Sequence, residues 1–155
     1  MHKRQSEELE SRLKELGLSK VLHSYSSMAD EARKETTSYE EFLLGVLRQE
    51  CESRRQKRIA RYLKESRLPL EKTLESFEMR RLPVSVLHQV KALIDGEFLD
   101  RHENLLVFGS PGSGKTHLVS GIGQELVKKG KRIYSTSCAI LLQDLLKIIL
   151  QFLLL

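Results

Sequence analysis

Apolar residues recur at three- and four-residue spacing through most of the first hundred positions, and that period predicts helices. Leu9, Leu13 and Leu16 share one face of a short helix over 6–16, with Gly17 as its stop. Val21, Leu22, Tyr25, Met28, Ala29 and Ala32 give a second helix over 20–34. Ser38 and Glu41 have the spacing of a capping box, in which each side chain satisfies the other's backbone amide. They open a long helix running to about residue 67, with Phe42, Leu43, Val46, Leu47 and Cys51 on its first apolar face. Pro69 ends it, and Pro69 and Pro83 punctuate a connector. Ser85 is then the expected cap of a helix carrying Leu87, Val90, Leu93 and Ile94, which Phe98 and Leu99 extend past Gly96.

From Asn104 the pattern changes. "NLLVF" (104–108) is a continuous apolar run, expected of a strand buried on both faces. A glycine-rich loop follows. Residues 116–130 then read as a helix whose buried side is Leu118, Val119, Ile122, Leu126 and Val127, with Gly130 beyond its end. "KRIYSTS" (131–137) reads as a second strand and 138–155 as a mostly buried helix, with Gln143, Asp144, Lys147 and Gln151 as a narrow polar stripe. Strand, loop, helix, strand, helix predicts the start of a parallel α/β sheet. The expected fold class is therefore α/β: a helical N-terminal domain over 1–68, a connector over 69–84, and over 85–155 the first, incomplete part of a P-loop domain.

Composition changes this picture little. The 155 residues are 40% hydrophobic and 30% charged, ordinary values for a globular protein. The polar N-terminus lacks the apolar stretch of a secretory signal. The apolar C-terminus is short and interrupted, so no membrane association is expected. Cys51 and Cys138 stand in no metal-ligand or catalytic pattern and read as free thiols in a reducing cytoplasm.

Charge distribution adds one candidate surface. The formal charge is +5, and between Arg54 and Arg67 there are seven Lys/Arg against one acid, Glu65. On a helix Ile59, Tyr62 and Leu63 share one side, while Arg54, Lys57, Arg58, Arg61 and Lys64 lie opposite. Such a row is either a solvated face or a surface for phosphate backbone, and carries no base specificity of its own.

"GSPGSGKT" (Gly109, Ser110, Pro111, Gly112, Ser113, Gly114, Lys115 and Thr116) is the stretch that carries chemistry. Its glycines clear side chains away from successive amides, which then form an anion nest at the positive end of the following helix. Lys115 is placed to reach the outer phosphates of a nucleotide, and the Thr116 hydroxyl to hold Mg²⁺. His117, next to the loop, could touch nucleotide but reads first as a surface or packing residue. Hydrolysis would further require a strand-end carboxylate on Mg²⁺ and a group to orient water. The only acids after Thr116 are Glu125, in mid-helix, and Asp144, on the polar stripe, and no arginine follows Arg132. No catalytic residue is assigned, and ATP with Mg²⁺ is expected to bind without complete catalysis by these residues.

The segments "SYEEFLLGVLRQE" (38–50), "RRQKRIARYLKESRLPLEKTLESFE" (54–78), "FLDRHENLLVFGSPGSGKTHL" (98–118) and "KRIYSTSCAILLQDLL" (131–146) together resemble the IstB-like family. These are ATP-binding helpers of insertion-sequence transposases, related to DnaC-type helicase loaders of the AAA+ class. The resemblance covers about residues 6–146. It implies ATP-driven assembly of like subunits around DNA and a transposase or replication protein as partner. It also implies a Walker B acid, a sensor and an arginine finger beyond the matched segments, so the chain reads as a truncated helper that binds ATP and Mg²⁺. The alternative is a DNA-binding or interaction module that uses the 54–67 helix, with a vestigial nucleotide loop.

Overall fold

The computed structural model describes residues 2–153, and all regular structure among them is helical. The elements are α1 (His2–Glu15), α2 (Ser19–Glu35), α3 (Tyr39–Ser66), a 3-10 turn at Met79–Arg81, α4 (Val84–Asp95), α5 (Glu97–Asp100), α6 (Lys115–Lys128) and α7 (Cys138–Leu153). The chain divides into two compact units, residues 1–58 and 59–155, with the division inside α3.

In the first unit the apolar faces read from the sequence close on one another. Leu13, Val21 and Val46 are buried, one from each helix, with Leu18, Leu22, Tyr25, Met28 and Phe42 around them. Ser38 accepts the Glu41 amide at 3.2 Å, so the serine half of the expected cap is present. The other polar tie had no signal in the sequence. Glu50 of α3 is almost fully buried and accepts the amides of Lys20 (2.9 Å) and Val21 (3.2 Å), capping α2 from another helix. Arg54 donates to Glu50 at 2.8 Å and to the Gly17 carbonyl at 3.1 Å, which ties the turn between α1 and α2 to α3. Burial opposes the Glu50 charge. The Arg54 hydrogen bond and the two amides outweigh it and hold the carboxyl below its usual value.

In the second unit α6 is the centre. Leu118, Ile122 and Leu126 pack with Val90 of α4, inside a shell that includes Leu74, Phe77, Met79, Leu82, Val86, Phe98 and Ile133. Each such aliphatic side chain contributes about 1.5–3 kcal/mol by leaving water. Val119, expected on the buried side, is exposed. Pro83, not Ser85, stands at the N-cap of α4; proline's fixed φ suits a helix start, and Ser85 falls inside the first turn.

The expected parallel α/β sheet is not what the chain forms. Among the described residues there is no strand. Leu105, Leu106, Val107 and Phe108 are exposed, so 104–108 is not the doubly buried strand its composition suggests. Within 131–137 the Ser135 amide donates to the Ser66 carbonyl at 2.7 Å and the Lys131 amide to Leu126 at the end of α6, which is not a ladder. An apolar run states a preference for burial, but a strand exists only where a neighbour supplies ladder hydrogen bonds. Neither segment has that neighbour here. The buried C-terminal helix is also corrected. α7 forms, with the Ser137 hydroxyl accepting the Ile140 amide at 3.3 Å, yet its leucines and isoleucines from Ile140 to Leu150 are all exposed. No helix among the described residues is long and apolar enough to cross a membrane.

Candidate functional site

The phosphate loop lies at the N-terminus of α6, with Lys115, Thr116 and His117 as the helix's first three residues. The amides of such residues have no partner within their own helix. Gly112 and Gly114 both have left-handed backbone, φ +78° and +85°, which glycine adopts without strain. A side chain at Gly112 would stand in open space, so there the requirement is conformational. At Gly114 a Cβ would lie 2.9 Å from the Phe77 ring, so the requirement is also steric. Lys115 folds back over the loop, its Nζ donating to the carbonyls of Gly109 and Ser110, each at 2.8 Å. An ammonium has three donors, so one remains for an anion. Thr116 is exposed. Ser110, Pro111 and Ser113 complete the loop, and the Ser113 amide bonds to the Ser110 carbonyl at 3.2 Å.

The connector is part of this site. Residues 68–77 run along one face of α6 in the opposite direction. Leu68 meets Gly123, the Gln124 amide donates to the carbonyls of Pro69 (3.0 Å) and Lys72 (3.1 Å), and Leu74 covers Gly121. Nearest the loop, His117 Nε2 lies 2.9 Å from the Thr73 carbonyl and 3.1 Å from the Ser76 hydroxyl, and its ring meets Phe77 edge-on at 5.2 Å. A cavity of about 350 Å³ opens between connector and loop, lined by Ser76, Phe77, Glu78, Arg81, Gly114 and His117 among others. The sequence did hold a signal for this packing: Gly114, His117, Gly121 and Gln124 are spaced as one helical face, small or polar throughout.

The basic row divides into two groups. Arg54 is held by Glu50 and Gly17, and Lys57 Nζ is 3.4 Å from the Ser19 hydroxyl, so both serve the first unit's own packing. Arg61 lies 5.4 Å from the Tyr62 ring centroid and 3.9 Å from Glu65. Arg58 and Lys64 are exposed and form no ion pair among the described residues. Glu125 and Asp144 pair with Lys128 and Lys147 on their own helices. No group of three His, Cys, Asp or Glu side chains gathers to hold a metal among the described residues. Cys51 and Cys138 are both free thiols.

The chain matches the family described as IstB-like ATP binding protein over residues 11–149. The chain belongs to that family. It is 35% identical over 119 residues to a provisionally named ATP-binding protein of insertion sequence IS5376 from Geobacillus stearothermophilus, covering 77% of this chain and 47% of the relative. It is 36% identical over 126 residues to the corresponding IS21 protein of Pseudomonas aeruginosa, covering 81% and 48%. A Sinorhizobium fredii insertion-sequence protein with a similar name is 36% identical over 134 residues, covering 86% and 45%. The chain thus spans about half the length of these curated relatives.

Proposed function

We propose that this IstB-like chain binds ATP through Gly109–Thr116 and serves insertion-sequence transposition. The observation that carries the reading is the loop itself: left-handed Gly112 and Gly114, free helix-start amides, and Lys115 with a donor to spare, all converging at the start of α6. The amides would hold the inner phosphates and Lys115 the outer ones. Mg²⁺ fits at Thr116 as a nucleotide-borne ion, with phosphate oxygens and water as its other ligands, since among the described residues no side-chain cluster stands ready for it. We assign no hydrolytic residue. In this reading 1–68 is a helical domain, 69–84 a strap and 85–155 the loop-bearing part. The relatives' names, which pair ATP binding with insertion sequences, support it. A transposase or replication protein as partner, and assembly with like subunits, are proposed by family alone. Calorimetry with Mg²⁺-ATP tests the reading: binding that Lys115→Ala removes is expected, and a folded chain that takes up no nucleotide would sink it.

A second reading, non-specific binding of DNA backbone, is favoured by the exposed Arg58, Arg61 and Lys64. Arg54 and Lys57 contribute less in this reading, since both are engaged. Replacing Arg58, Arg61 and Lys64 with alanine should flatten the slope of log affinity against log salt by about one per lost phosphate contact. An unchanged slope would make the row a solvated face.

A further inference from the structure

His117 is not accounted for by the phosphate loop. The geometry points to His117 as a positioning residue that latches the connector to the loop, so that nucleotide affinity depends on how residues 68–77 are seated. The inference rests on the nucleotide reading above. A carbonyl oxygen can only accept, so the 2.9 Å approach to Thr73 places a proton on His117 Nε2. That bond, with Ser76 beside it, fixes the turn that carries Phe77. Phe77 in turn lies against the backbone of Gly114, where no side chain fits. Loop, histidine and connector are thus in direct contact, and displacing the connector removes one wall of the loop. Gln124 holds the far end of the same segment through Pro69 and Lys72, so the connector is pinned at both ends of its run on α6. His117 stands at the end beside Lys115, and a change there reaches the phosphates first.

The test uses the full chain and two readouts, Mg²⁺-ATP affinity by calorimetry and the rate of tryptic cleavage after Lys72, the bond next to the Thr73 carbonyl. His117→Ala is expected to weaken Mg²⁺-ATP about tenfold, the loss of roughly one well-formed hydrogen-bonded contact, and to speed cleavage after Lys72. His117→Gln keeps a donor for Thr73 and should restore most of both. Wild-type affinity in His117→Ala overturns the proposal, and so does weakened affinity without faster cleavage, which would mean that His117 touches the nucleotide itself. Should His117→Ala lose its helical signal, Phe77→Leu replaces it, and unchanged affinity there overturns the proposal equally. The two readings fail differently: absence of wild-type binding defeats the nucleotide reading, whereas binding that Lys115→Ala removes and His117→Ala leaves intact defeats the latch alone.

Discussion

α6 and α7 are close in length and both rich in aliphatic residues, yet among the described residues α6 is the most buried helix and α7 is exposed from Cys138 to Phe152. Their local sequences do not explain the contrast. α7 has the stronger apolar content and a serine cap. The difference lies in what each face meets. α6 has α4 on its aliphatic side and the connector on its small-residue side, so both leave water. α7 persists on leucine's helix propensity, its serine cap and the Asp144–Lys147 pair. A hydrophobic face records a demand for a partner, and only the rest of the chain decides whether one is there.

Truncating matched side chains separates the two helices most sharply. Ile122→Ala in α6 should cost about 2–5 kcal/mol of unfolding free energy, and Ile148→Ala in α7 no more than about 0.5 kcal/mol. Denaturant unfolding reads both, and equal losses would end the distinction. Gly121→Val is next. Its Cβ would stand 2.7 Å from a Leu74 methyl and 2.9 Å from the Leu74 amide nitrogen, so the connector must shift. A loss of about 1–3 kcal/mol is expected, with faster cleavage after Lys72; a neutral result would show that the connector does not rest there.

The same rule extends to a polar partner in the first unit. Glu50→Leu leaves two α2 amides and Arg54 without their acceptor and should cost about 1–3 kcal/mol. Because folding lowers the Glu50 pKa, its contribution is complete above about pH 4.5, the ordinary value, and is lost as pH falls below it. The stability gap between wild type and Glu50→Gln should therefore narrow on acidification below that point. A gap that stays constant would assign the effect to shape and not to charge. The smallest expected effect is on α7: Leu142→Lys with Leu146→Lys should reduce binding of an apolar dye while moving the melting temperature little.

Much of this molecule was legible in residue order. The three N-terminal helices, the serine half of the Ser38 cap and the aliphatic face of α6 apart from Val119 each follow from spacing within about one helical turn to four. What was not legible depends on partners distant in sequence. Glu50 reads as one more polar residue on a helix until α2 is placed before it, and Arg54 reads as part of a solvated or phosphate-facing row until Gly17 is seen to accept from it. The sheet failed for the same reason. Residues 104–108 have a strand's composition, but strand pairing is a relation between segments and no local pattern supplies it. The connector reads as punctuation because Pro69 and Pro83 mark turns, while the residues that seat it on α6, Gly121 and Gln124, lie about fifty positions away.

Hydrogen exchange with and without Mg²⁺-ATP tests the account most directly, since it watches both helices at once. Added amide protection is expected over 109–118 and over the connector at 68–77, with none in α7. Protection confined to α7, or added nowhere despite saturating nucleotide, would contradict it.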